Sequence, residues 1–178
     1  MRRTEEPDVS RPAKSRTSAL VLGCCLLAGA VDAEKVACAA DSGTARTVLF
    51  VCEHGSAKSL LAATLFNQQA ARRHLPYRAI ARGTTPDAAP QEATREGLRK
   101  DGIDVATFVP QQVTAADVTT AIAVVSFEVD LAPFSSSQRP VSRWDDTPPV
   151  SQNYPLARDA ILRNVDALIK QLQSVEAR

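Results

Sequence analysis

The sequence predicts an α/β fold: a three-layer αβα arrangement around a central four-stranded parallel sheet. Three observations carry that expectation. From Thr47 onward, short apolar runs rich in β-branched residues alternate with segments of helical period, the pattern of successive βαβ units. Glycine and proline signals fall between them, as at Gly83-Thr-Thr-Pro-Asp87 and Gly102. An amphipathic segment long enough for five turns closes the chain.

Taken in order, the first strand is expected over Val48–Val51 and a helix over Ser59–His74, with Leu60, Leu61, Ala63, Thr64, Phe66 and Ala70 on its buried side and His74 as a favourable charge at its end. A second strand follows over Tyr77–Ala81, and a second helix over Pro90–Asp101, closed by Gly102. Residues 103–105 and 107–109 read as short extended pieces, and Thr114–Asp117 as a helical turn. Ala121–Phe127 is the most strand-like run after the first, and Val141–Trp144 is the fourth strand. Tyr154–Gln173 is the closing helix, with Leu156, Ala160, Ile161, Val165, Leu168 and Leu172 as its apolar stripe. Beyond Ser135–Ser137 there is no low-complexity tract, and there are no internal repeats.

The length of 178 residues and 44% hydrophobic content suit a single core. A net charge of +1 gives no strong field for nucleic acid or an anionic membrane, so neither is expected as a partner. The first 33 residues read differently. Arg2, Arg3, Arg11, Lys14 and Arg16 precede an uncharged run, Ser18–Val31, and Val31-Asp32-Ala33 offers compact side chains for cleavage. That is the pattern of a signal peptide, with residues 34–46 as a linker and 47–178 as the domain. The apolar run is short of the ~20 residues that span a bilayer as a helix. Cleavage after Ala33 leaves 16 basic and 16 acidic residues and two cysteines, Cys38 and Cys52. The expected compartment is then the periplasm or the exterior; with an incorrect start codon it is the cytoplasm.

Chemistry concentrates where the first strand ends. Cys52-Glu53-His54-Gly55-Ser56-Ala57-Lys58-Ser59 is a tight loop between a buried strand and a helix N-terminus. Such a loop points several backbone N–H groups into one concavity, where the helix dipole adds to them and anions collect. A cysteine at its first position faces that concavity, which favours the thiolate, a nucleophile beside a bound oxyanion. Gly55 permits a positive φ, Lys58 adds a cation, and Ser59 offers a hydroxyl to the sulfur. Glu53, His54, Gly55, Ser56, Ala57, Lys58 and Ser59 are thus the expected oxyanion-binding positions. No cofactor and no metal are called for.

The arrangement C-x5-[basic]-S between strand and helix resembles the active-site loop of low-molecular-weight protein tyrosine phosphatases and the related thiol-dependent arsenate reductases. The order of elements over 48–83, the segment Ala81-Arg82-Gly83-Thr84, the late Trp144-Asp145-Asp146-Thr147-Pro148-Pro149 and the final helix extend the resemblance over residues 47–175. It implies a phosphatase I-like fold, with Cys52 as nucleophile and Asp145 or Asp146 as general acid, Asp146 favoured. Trp144 reads as a packing anchor for that loop. The implied ligand is phosphate, sulfate or arsenate. Four positions depart from the family pattern: Lys58 replaces an arginine, Gly55 a usual asparagine, Ala57 a frequent second cysteine, and counting from Trp144 the general-acid position falls at Pro148, so that Asp145 or Asp146 serves only with the loop shifted. A lysine is a point charge without the planar fork that grips two oxygens, so catalysis is expected to be weakened. The alternative is a pseudo-phosphatase that binds oxyanions or phosphorylated partners. No cysteine lies in 53–178, so a redox cycle needs an external thiol, or Cys38 if it is retained.

Overall fold

A computed structural model of the chain describes residues 45–134 and 140–177. The expected leader over 1–33, the linker up to residue 44, Cys38 and Ser135–Ser137 lie outside the described residues. The elements are β1 (Arg46–Cys52), α1 (Lys58–Arg72), β2 (Tyr77–Gly83), α2 (Glu92–Lys100), α3 (Ala115–Thr120), β3 (Ala123–Ser126), β4 (Val141–Arg143) and α4 (Tyr154–Glu176). The four strands form one sheet in the order β2-β1-β3-β4, and every neighbouring pair is parallel.

Strand β1 is buried on both faces, as an interior parallel strand must be. Val48, Phe50 and Cys52 join the larger apolar cluster with Leu61, Phe66, Ile161 and Val165. Leu49 and Val51 join a second one with Val113, Val118, Val124 and Leu131. The sheet therefore separates α1 and α4 from α3, which gives the three layers. Phe50 anchors the larger cluster, with Phe66, Phe127 and Trp144 rings 5.5–6.5 Å from its own.

The strand order fixes where a ligand can enter. From β1 the chain first crosses to β2 on one side, then returns to β3 on the other. Connections leave β1 and β3 in opposite directions, and a crevice opens between their carboxyl ends. Cys52 is the last residue of β1. Among the described residues no helix is long and apolar enough to cross a membrane.

Several local expectations change. β1 begins at Arg46 and β2 continues to Gly83, because Gly83 still pairs with Cys52. Helix α1 ends at Arg72, and His74 lies beyond it in a turn at φ 52°, so it is not the helix-terminal charge expected. Residues 103–105 and 107–109 form no strand; the edge of β2 is instead closed by Asn67, whose amide grips both backbone groups of Ala79. Thr114 starts a real helix through a capping box with Asp117. On α4, Leu156 is exposed, and Ala157, Ile161, Val165, Leu168 and Ile169 form the buried stripe. Asn153 caps that helix, its side-chain oxygen accepting from Leu156 N–H.

Candidate active site

The loop after β1 is shaped by where its carbonyls go. Those of Cys52, Glu53, His54 and Ser56 accept from the backbone N–H groups of Thr84, Thr85, Asp87 and Gln91. In a planar trans peptide the next residue's N–H points opposite to the carbonyl. The N–H groups of Glu53, His54, Gly55 and Ala57 consequently face away from the 84–91 segment. One of them has its target in view: Gly55 N donates to Cys52 Sγ at 3.3 Å.

Gly55 makes this possible at φ +66°. A Cβ there would meet Gly83 N at 2.9 Å, and one on Gly83 would meet Gly55 N at 2.7 Å. Two glycines thus let the loop and the end of β2 touch backbone to backbone. Helix α1 then starts with Ala57 as its N-cap, without a side-chain cap and without an acid in its first turn. An uncapped terminus of a 15-residue helix leaves donors and positive dipole for an anion.

The sulfur has a second partner, Ser59 Oγ at 3.0 Å. Cys52 is 7% exposed and borders a pocket of about 180 Å³ whose rim includes Glu53, His54, Lys58, Glu128 and Val150. The cation of this pocket is already paired: Lys58 Nζ lies 2.6 Å from Glu128 Oε2. Lys58 is buried at 8% exposure. Glu128 follows β3 in the left-handed region at φ 57°, and its N–H donates to Asp145 Oδ1 at 2.7 Å. Arg143 Nε holds the other Asp145 oxygen at 2.8 Å. The hydrogen bond from Glu128, then Arg143 and more distantly Lys58, keep the Asp145 carboxyl below its ordinary range.

The positions expected from the sequence are therefore distributed as follows. Gly55 and Ser59 touch the sulfur, and Glu53, His54, Ala57 and Lys58 line the pocket. Ser56 is turned aside, its hydroxyl donating to Asp87 Oδ2 at 2.5 Å. His54 is bracketed by carboxylates, Asp87 at 3.5 Å and Glu53 at 3.7 Å. Asp145 lies against Glu128, and Asp146 borders a different cavity with Arg143, Trp144 and Arg163. Neither Asp145 nor Asp146 lines the pocket that holds Cys52. Trp144 packs on Phe50 and Phe127, as an anchor should. Glu128 was not among the expected site residues. The signal that could have found it is its place just past β3, the strand beside β1 across the crevice.

A larger cavity of about 560 Å³ runs along β2 between Asn67 and Val109, but no cysteine borders it.

The family model for low molecular weight phosphotyrosine protein phosphatase matches residues 47–135. No curated protein matches the sequence. Among solved structures, the chain is similar to YfkJ from Bacillus subtilis, with 22% identity, a TM-score of 0.64, and coverage of 75% of this chain and 98% of that one. An arsenate reductase from Archaeoglobus fulgidus DSM 4304 is 26% identical, with a TM-score of 0.58 and coverage of 69% and 98%. YwlE arginine phosphatase from Bacillus subtilis, in a cysteine-to-serine mutant whose active-site serine is phosphorylated, is 18% identical, with a TM-score of 0.62 and coverage of 72% and 96%.

Proposed function

Because the chain belongs to the low molecular weight phosphotyrosine protein phosphatase family, we propose that Cys52 is a nucleophile toward the phosphorus of a phosphate monoester. The observation that carries this reading is the sulfur's own environment, with a loop N–H and the Ser59 hydroxyl both within hydrogen-bonding distance of it. As thiolate, Cys52 attacks, an S–P bond forms and the ester P–O bond breaks. The loop N–H groups and the α1 terminus balance charge on the equatorial oxygens. Water then attacks the phosphorus of the S-phosphocysteine, the S–P bond breaks, inorganic phosphate leaves with the water's proton, and the sulfur returns as thiolate, with Ser59 easing its departure.

The pocket volume is below the roughly 300–1,000 Å³ of sites for drug-sized ligands. It suits a tetrahedral oxyanion and a small group attached to it. With Asp145 held ionised by Glu128 and Arg143, and Asp146 on another cavity, leaving groups that depart as stable anions are favoured. Aryl phosphates should therefore turn over faster than alkyl phosphates.

The Lys58–Glu128 pair favours a second reading, an oxyanion binder with little turnover, since the cation nearest the cradle already has a carboxylate. Arsenate is the other substrate of the same class. There, two external thiols would supply the two electrons that take As(V) to As(III), ending as a disulfide, because 53–178 offers no second cysteine. Acid quenching during aryl phosphate turnover, followed by peptide mass spectrometry, tests the first reading. A phosphoryl group on Cys52 supports it. Unmodified Cys52 in a protein that sulfate still protects from alkylation leaves the binder. The leader and an exported domain over 47–178 belong to this proposal too, and N-terminal sequencing of the native protein tests them.

A further inference from the structure

Resting on the oxyanion reading above, we propose that Glu128 is the charge-selecting residue of the site: its carboxylate competes with the incoming oxyanion for Lys58, so that singly charged tetrahedral oxyanions are admitted more readily than doubly charged ones.

Three observations lead there. Lys58 is nearly out of solvent, and its ammonium requires a counter-ion. Glu128 is that counter-ion at 2.6 Å, yet its own side chain is 60% exposed. If the pair parts, the carboxylate regains water at little loss, whereas the buried ammonium needs another anion in its place. The second observation is conformational. Glu128 occupies the left-handed region, which a side chain with Cβ disfavours, and the hydrogen bond from its N–H to Asp145 holds it there. The fold places this carboxylate at the pocket against local preference. Third, Glu128 and Lys58 border the same pocket as the Cys52 sulfur, so an oxyanion meeting the thiol also meets the pair.

The charged groups around Glu128 define what an entering anion experiences. Lys58 attracts it from α1, Glu53 and His54 lie on the rim of the same pocket, and Asp145, itself paired with Arg143, lies behind the Glu128 backbone. Removing one negative charge from this set acts on a bound ion in proportion to the ion's own charge. Sulfate is a dianion and perchlorate a monoanion of the same tetrahedral shape. Neutralising Glu128 should accordingly tighten sulfate by about twice as many powers of ten as perchlorate.

The experiment measures protection of Cys52 from iodoacetamide, read on the Cys52 peptide by mass spectrometry, in the full chain and in Glu128→Gln. Glu128→Gly serves as a second variant, since glycine accepts the positive φ and removes the same charge. Sulfate is expected to bind about tenfold more tightly in both variants, and perchlorate about threefold. If Glu128 merely holds Lys58 in position, both variants lose protection or keep the wild-type value, and charge selection is overturned while the oxyanion reading stands. Equal tightening for the two anions also overturns it. Failure of either anion to protect any of the proteins overturns the oxyanion reading itself, and this inference with it.

Discussion

Two sides of one crevice are built in different ways. The Cys52 side is made of backbone: four carbonyls are tied to the 84–91 segment, two glycines touch, and a helix begins without a cap. The opposite side is made of side chains, with Glu128 on Lys58, Asp145 on Glu128 and Arg143, and Asp146 directed to another cavity. Backbone donors stay where the peptide planes put them, whereas charged side chains take whichever partner is near. The cradle should therefore tolerate side-chain changes that keep its main chain, and the far side should shift its chemistry with single substitutions.

The most severe test of the cradle is Cys52→Ser, which should lower aryl phosphate turnover by on the order of 10⁴-fold while leaving the melting temperature little changed. Next come two identical substitutions at different places. Gly83→Ala drives a Cβ to within 2.7 Å of Gly55 N and should destabilise the protein by about 1–3 kcal/mol, with sulfate protection of Cys52 lost. Gly102→Ala has open space around it, although its φ is +80°, so a loss of about 1 kcal/mol with unaltered protection is expected in denaturant melts. Equal effects at the two sites would contradict the glycine contact as the support of the loop.

On the side-chain half, Lys58→Arg should raise aryl phosphate turnover by about tenfold, since a guanidinium fork can serve Glu128 and an oxyanion together. No gain would mean that the far side does not limit the rate. The smallest effect concerns stability in acid. Although burial opposes it, hydrogen bonds from Thr114 and Arg82 hold the Asp117 carboxyl below its ordinary value. A depressed value in the folded state stabilises the protein above the unfolded carboxylate range and is lost as pH falls through the folded one. Wild type should thus lose melting temperature in acid more steeply than Asp117→Asn, with Cys52 chemistry unaffected.

The same contrast explains what could be read from the sequence. Strand, loop and helix at 48–72 were legible because an apolar run, one glycine and an amphipathic segment lie consecutively, and their geometry is local. Cys52, Gly55 and Ser59 are found at the sulfur for that reason. Lys58 was placed in the pocket, but its partner stands 70 residues away, and nothing in the spacing announces that pair. Asp145 and Asp146 are legible as acids beside Trp144; the direction of the Asp145 carboxyl is set by Arg143 and the Glu128 amide, contacts made only in the folded chain. Leu156 is exposed against expectation because helical period defines a stripe but not which neighbouring row meets the core.

One measurement bears most directly on the oxyanion cradle. Cys52 alkylation should slow as sulfate is added, and the protection should disappear in Gly83→Ala while surviving in Gly102→Ala. Alkylation indifferent to sulfate in the wild-type chain would contradict the account.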